Sequence, residues 1–317
     1  MSQFKICPDE RLKFYIGTSN SAIDPPTWTD TAIADIPFRT DIYFENIDHN
    51  YVVDIKRYQS YVNKPFWVQC GDCSSWTDYP VLCKIRDTKY QGNKLATAGN
   101  NTKEFVEKNK IEEYNGSGVI ANLNSARHWG FVSNFIKDNI SWNNKKNEVI
   151  WRGVSTGIHQ HSQNYNRLNL VKDYWNKYDV GFSGWVQQHC CPEAGQYVKG
   201  PVHPFELSSY KYIIAIDGND KSSAINWILA SNCVPIMPKP RFHSWLCEPW
   251  LKNKVHYVEV KEDFSDLDEQ MSWCKDNDDK CKEIAYNGKA FMLQNFSNDQ
   301  DIEKELMEIV VNDNTNQ

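Results

Sequence analysis

No run of about 18 apolar residues occurs anywhere in the 317-residue chain, and the opening segment MSQFKICPDERLKFYIG has no uninterrupted apolar stretch of the signal-peptide kind. Both absences lead us to expect a cytoplasmic protein with no membrane span. Positive charge is also scarce: 35 Lys and Arg stand against 41 Asp and Glu, for a formal charge of −6. A chain of that balance has no bulk field to attract nucleic acid, so an anionic ligand must be held by a few local groups. The 10 cysteines show no regular spacing, which fits reduced thiols better than a disulfide framework. Cys70 and Cys73 form a CxxC with no second pair at ligand spacing, so they read as structural thiols and no metal is expected. Four N-x-S/T sequons, at Asn100, Asn115, Asn139 and Asn295, are expected to stay idle in a chain that is not secreted.

What is present is aromatic. Twelve Trp, 16 Tyr and 14 Phe supply enough apolar surface for two cores and exclude disorder as a description of the whole. In the first part, Tyr51–Ile55, Pro65–Cys70 and Tyr79–Ile85 read as strands, and residues 127–140 as a helix. The polar stretch Ser141–Asn147 breaks the apolar pattern. It sets an expected boundary between an N-terminal domain, 1–145, and a second domain, 146–296, with a terminal helix and tail at 297–317. Beyond the break, strands at Glu148–Trp151, Lys211–Asp217, Val234–Met237 and Val255–Val260 alternate with helices at Asn166–Trp175, Ser222–Ser231, Phe264–Asn277 and Asp278–Gln294. That alternation predicts a parallel sheet covered on both faces, with ligands at the carboxyl ends of its strands.

Two strand-to-helix junctions carry candidate chemistry. Trp151-Arg152-Gly153-Val154-Ser155-Thr156-Gly157 follows a strand, and Arg167 stands near the start of the next helix. Glycines allow close backbone approach, hydroxyls and turn N–H groups donate, and two arginines can neutralise a diphosphate. A glycine turn with two structural arginines explains the same residues. Asp217-Gly218-Asn219-Asp220-Lys221-Ser222-Ser223 forms the second junction, where Ser222 or Ser223 near a helix N-cap fits either an anion and ribose site or plain capping.

These blocks, together with Trp227–Asn232, Met237-Pro-Lys-Pro, Trp245–Glu248, Val255–Val258, Asp263–Leu267 and Ile284–Gly288, resemble the CAP10-type glycosyltransferases, glycosyltransferase family 90. The resemblance covers roughly residues 147–292. It implies an α/β protein of the GT-B class: two Rossmann-like domains facing a cleft, the nucleotide on the C-terminal one, and a C-terminal helix crossing back. It further implies inverting, metal-independent transfer from a UDP-sugar, with no other cofactor. Asp72, after the strand ending in Trp67-Val-Gln-Cys-Gly, matches the family's catalytic base, with Asp78 and Asp87 as alternatives.

Arg152, Gly153, Ser155, Thr156, Gly157, Arg167, Asp217, Gly218, Asn219, Asp220, Ser222 and Ser223 match its donor-binding blocks. Where many relatives carry an arginine, this chain has Ala224, which leaves phosphate charge to Arg152, Arg167, the helix N-terminus and Lys221 or Lys239. The viral and bacterial branch is the nearer likeness, which points to xylose as donor sugar, a β-linkage and a glycan acceptor hydroxyl such as that of fucose. Glucose is the alternative donor.

Three other assignments stay bland or open. Glu248 and His256 lie in family-like blocks, but a histidine on an alternating strand is more often a core partner. Trp129, Trp142 and Trp245 could stack on sugars, although packing explains them better. Asp276-Asn277-Asp278 is a DxD, yet it lies between helices, the wrong setting for a metal-dependent GT-A transferase. A non-catalytic carbohydrate-binding protein on the same fold is the remaining rival.

Overall fold

A computed structural model describes residues 3–16, 38–40, 47–71, 81–87, 118–137, 140–157, 166–189 and 191–313. In chain order these form α1 (Pro8–Ile16), β1 (Phe38–Arg39), α2 (His49–Gln59), β2 (Trp67–Val68), β3 (Val81–Cys83), β4 (Ile85–Asp87), β5 (Val119–Ile120), α3 (Ser125–Trp129) and α4 (Val132–Lys137). Then come β6 (Lys146–Val154), α5 (Asn166–Tyr174), β7 (Asp179–Gly184), α6 (Pro204–Leu207), β8 (Tyr210–Ile214), α7 (Ile225–Ala230), β9 (Val234–Met237), β10 (Phe242–Ser244) and β11 (Val258–Glu259). Helices α8 (Leu267–Asp276), α9 (Asp278–Phe296) and α10 (Gln300–Asp313) complete the order. None of the described helices is long and apolar enough to cross a membrane.

By packing, the chain divides into two units. One comprises Ile6–Arg127, Arg241–Glu248 and Asn298–Gln317; the other comprises Met1–Lys5, His128–Pro240 and Pro249–Ser297. The polar stretch 141–147 lies inside the second unit, as a short 3-10 turn running into β6.

In the first unit, β2, β3 and β5 run parallel and β1 adds antiparallel to β2, while β4 pairs antiparallel with β10. The expected strand at Tyr51–Ile55 is instead part of α2. Its buried residues are Tyr51, Asp54, Ile55 and Tyr58, the i, i+3, i+4, i+7 pattern that only a helix turns to one side, and Asp48 accepts from the Asn50 N–H at its start. That buried face meets α10 in the same unit: Arg57 places Nε 3.1 Å from Glu303 Oε2 and also bonds Asp54 at 2.5 Å. Tyr58 and Tyr61 hydroxyls both donate to Glu303.

The second unit is built on one five-stranded sheet in the order β11-β9-β8-β6-β7, every pair parallel. Strands β8 and β9 are buried along their whole length, as a sheet covered on both faces requires. Helix α7 is likewise buried at all six residues, and α9 packs tightly against it: a Cβ added at Gly288 would lie 3.1 Å from Leu229 Cδ2.

Strand β7 was not expected from the sequence. Its segment Asp-Val-Gly-Phe-Ser-Gly is glycine-rich, but Gly181 leaves room for the Lys199 side chain, which a Cβ would meet at 2.7 Å. The helix expected over 127–140 is two short ones, separated at Gly130-Phe131. The strand expected over Val255–Val260 shortens to β11.

The order of connections matters more than any single element. From β6 the chain moves to β7 on one side, then returns to place β8 on the other side of β6. The loops leaving the carboxyl ends of β6 and β8 therefore diverge at a topological switch point, where open parallel sheets hold their ligands.

Candidate functional site

The two loops at the switch point touch. Gly157 has φ +83, a left-handed backbone open to glycine, and a Cβ there would come within 2.8 Å of the Gly218 carbonyl carbon and oxygen. The Gly157 N–H donates to Asn219 Oδ1 at 2.9 Å. On the other side of the contact, a Cβ on Gly218 would meet Arg167 Nη2 at 2.8 Å and Thr156 Oγ1 at 3.0 Å. Glycine at 157 and 218 is thus what lets the loops close on one another.

Arg167, from the first turn of α5, braces that closure. Its Nη1 donates to the Val154 carbonyl at 2.7 Å and to Thr156 Oγ1 at 2.9 Å. Its Nη2 donates to the Ile216 carbonyl at 2.9 Å and its Nε to the Asp217 carbonyl at 3.0 Å. One guanidinium so holds both loops and leaves a cation at the switch point.

The Asp217–Ser223 segment is a tight turn. Asp217 Oδ1 accepts from the Ser222 N–H at 2.9 Å, and the Gly218 N–H donates to the Asp220 carbonyl. Desolvation pushes the Asp217 carboxyl up to about 6; the Ser222 N–H and Arg167 pull the other way, and neighbouring Asp220 adds to the rise. Asp220 is buried, with His128 Nε2 at 4.0 Å from its Oδ2, and Lys221 Nζ donates to Asn226 Oδ1 at 3.0 Å. Helix α7 starts only at Ile225, with Ala224 as N-cap and no side-chain cap. Ser222 and Ser223, expected near the N-cap, therefore belong to the turn before it.

The structure brings Thr156, Gly157, Arg167, Asp217, Gly218, Asn219 and Ser222 together. Asp220 and Ser223 complete the same turn. Arg152 points elsewhere: its Nη2 lies 2.6 Å from Asp179 Oδ1, and its Nη1 donates to the Asp179 carbonyl, at the amino end of β7. Burial raises the Asp179 carboxyl, but the hydrogen bonds from Arg152 and Lys199 outweigh it and hold it below the usual range. The Ser155 hydroxyl is used by the loop after β7, donating to the Val186 carbonyl at 2.7 Å and accepting from the Val186 N–H at 2.9 Å. Gly153 is not a turn residue; it continues β6 and clears the Trp151 indole, which a Cβ would meet at 2.7 Å.

In the first unit, Asp72 and Asp78 lie outside the described residues, and Asp87 ends β4. What precedes Asp72 is fixed: Gln69 N–H donates to the Leu82 carbonyl, Gly71 turns at φ 104, and the Tyr51 hydroxyl donates to the Gly71 carbonyl at 3.0 Å. The buried Cys70 thiol is pushed up to about 12 by desolvation, against the pull of Lys84.

Several weighed residues are core. His256 packs edge-on to Phe4 and is held down to about 4 by burial and by Lys252. Glu248 accepts from the Ser244 N–H and hydroxyl, both at 2.6 Å. Trp245 stacks on Tyr15 at 4.0 Å, the Trp142 indole donates to Asp278, and Trp129 packs on Phe296. Asp278 also binds Lys211 at 2.5 Å, so the DxD is a helix junction. Lys239 is exposed. Asn295 is buried, its amide donating to the Phe4 and Phe291 carbonyls.

Asp179 and His128 escaped sequence reasoning. Each meets a partner far away in the chain, Arg152 and Asp220, and no local motif marks such pairs.

Comparison with known proteins adds an independent finding. The model of Glycosyl transferase family 90 matches residues 122–305. O-glucosyltransferase LpsA of Dichelobacter nodosus is 28% identical over 191 residues, covering 60% of this chain and 56% of that protein. Uncharacterized protein 179R of Invertebrate iridescent virus 6 is 31% identical over 190 residues, 50% of this chain and 16% of that one. Protein O-glucosyltransferase 2 of Danio rerio is 27% identical over 168 residues, 47% of this chain and 29% of that one. The chain thus spans little more than half of LpsA and far less of the other two. A solved glycosyltransferase from Rickettsia africae ESF-5 superposes with TM-score 0.42 and 12% identity over 76% of this chain and 73% of that chain.

Proposed function

The chain belongs to glycosyl transferase family 90, and on that footing we propose that it transfers a sugar from a UDP-sugar to a glycan hydroxyl. The observation that carries this reading is the closure of the Gly157 and Gly218 loops, braced by Arg167, at the switch point of a parallel sheet. Such a place offers backbone N–H groups and one fixed cation to a diphosphate. Thr156, Gly157 and Asp217–Ser223 form the donor loops in this reading, with Lys221 as a second cation near them. Arg152 and Ser155 serve the frame, pinning β6 and its loop to β7 and the turn beyond it.

The fold class is GT-B and the transfer inverting. Asp72 takes the proton from the acceptor hydroxyl as its oxygen attacks the anomeric carbon; the bond from that carbon to the UDP oxygen breaks, and the departing negative charge falls beside Arg167. No metal takes part. In support, each of the three DxD triplets spends a carboxylate on a protein partner, Asp278 on Lys211 and Trp142, Asp268 on Lys177, and Asp299 on Arg11 and Trp245, rather than presenting paired carboxylates to a nucleotide.

Xylose is the donor sugar we assign, forming a β-linkage to an acceptor such as fucose. The names of LpsA and of the Danio rerio relative favour glucose as a second reading. The two sugars differ by a hydroxymethyl group, a difference a pocket reads at only about 1–3 kcal/mol.

Incubation with UDP-xylose and with UDP-glucose, each with and without EDTA, tests the whole proposal. Chelator-insensitive release of UDP with a β-linked product, lost in Asp72→Asn, is the expected result. Activity abolished by EDTA would replace it with a metal-dependent mechanism. Sugar binding without any UDP binding would make the chain a carbohydrate-binding protein.

A further inference from the structure

The loop after β7 presents an aromatic surface that nothing above uses. Trp185 is 37% exposed, flanked by Val186 at 40% and near the bridge partner of Phe182, Val198, at 39%. An indole left open in this way is normally loose, but this one is fixed on two sides. Its Nε1–H donates to the Cys191 carbonyl at 3.1 Å.

Beneath it lies Gly195, where a Cβ would meet Cε3, Cζ3 and Cδ2 at 3.0, 3.1 and 3.2 Å. Three adjacent ring atoms at nearly equal distance mean that Gly195 sits under the face of the ring, not at its edge. Glycine is needed at 195 for that contact, which covers one face of a residue that still keeps 37% of its surface exposed. The turn that follows is also set: Gln187 adopts φ 50, and the Val186 backbone is clasped by the Ser155 hydroxyl.

That clasp ties the indole's loop to Ser155, whose next residues are Thr156 and Gly157 of the donor loops. Strand β7 lies beside β6, so the platform's strand is one strand spacing, about 5 Å, from the strand that feeds the Thr156-Gly157 loop. A ring linked to a diphosphate through a ribose spans such an offset.

Resting on the donor reading above, we propose that the open face of Trp185 is the stacking platform for the pyrimidine base of the nucleotide donor. The apolar flanks Val186 and Val198 suit the flat face of a base better than the hydroxyl-studded rim of a sugar. Trp185 thereby contributes to selecting a nucleoside diphosphate over bare pyrophosphate.

Calorimetric titration of the full chain with UDP and with inorganic pyrophosphate tests this. Trp185→Ala is expected to weaken UDP binding about tenfold, as loss of one base–aromatic stack does, and to leave pyrophosphate binding unchanged. Trp185→Phe, which keeps a flat ring, should recover most of the loss. Unaltered UDP affinity in Trp185→Ala would overturn the proposal, as would a parallel fall for both ligands, which marks a merely structural role. A raised KM for the acceptor at constant UDP affinity would also overturn it, and would make the indole a sugar platform. Absence of UDP binding by the unaltered chain would overturn both this proposal and the donor reading, whereas the other outcomes leave that reading standing.

Discussion

Alanine at position 157 should do more harm than alanine at any ordinary loop glycine. Two costs combine there. The first is conformational: φ +83 puts an L-residue in the left-handed region, at about 1–2 kcal/mol. The second is steric, because a Cβ would stand 2.8 Å from the Gly218 backbone, which is not the yielding end of a side chain. The loops would have to part by several tenths of an ångström, weakening the Gly157 N–H bond to Asn219, a loss of about 1 kcal/mol. Gly200 supplies the control. It has φ +90 with nothing within 4 Å of an added Cβ, so Gly200→Ala carries the first cost alone. Urea unfolding should therefore show Gly200→Ala destabilised by about 1–2 kcal/mol and Gly157→Ala by about 1 kcal/mol more. UDP affinity should fall only in the second. Equal losses in the two variants, or intact UDP binding in Gly157→Ala, would refute the claim that the two loops close on each other to build the donor site.

Other perturbations separate frame from site. Arg152→Met removes the tie to Asp179 and should cost about 1.5–3 kcal/mol of stability in chemical unfolding, with UDP affinity unchanged in the folded fraction. Asp217 has its carboxyl raised to about 6 by desolvation, so the folded chain binds a proton more tightly than the unfolded one. Its contribution to stability is full below about pH 4 and is lost as pH rises through 6. Asp217→Asn, which keeps an acceptor for the Ser222 N–H, should flatten that part of the stability–pH curve and gain on the order of 1–2 kcal/mol above pH 6. Arg167→Lys should retain a charge but not the four-bond brace, lowering UDP affinity while thermal stability falls by several degrees.

The sheet of the second unit was legible because its strands are contiguous apolar runs, as in Tyr-Ile-Ile-Ala-Ile, which burial on both faces produces and which leave little choice of reading. Tyr51–Ile55 misled for the same reason. A run of aromatic and β-branched residues looks like a strand, whereas the buried set includes the polar Asp54, which is satisfied by Ser125 from another helix and by Arg57 one turn on, and so hides the helical period. Strand β7 was illegible because Gly181, which weakens the strand signal, answers to Lys199, a neighbour that adjacency in the chain does not reveal. At the site, residue types could be read but partners could not. Gly157, Gly218 and Arg167 carry their need in their identity, a left-handed turn, a close approach and a forked donor. Arg152 and Ser155 look equally suited to a phosphate until Asp179 and Val186 are seen to hold them.

A crystal structure of the chain with bound UDP tests the central claim most directly. The account predicts the diphosphate at the carboxyl ends of β6 and β8, against the Thr156-Gly157 and Gly218-Asn219 backbones with the Arg167 guanidinium beside it. Density for UDP at the amino edge near Arg152 and Asp179, or on the other unit altogether, would contradict it.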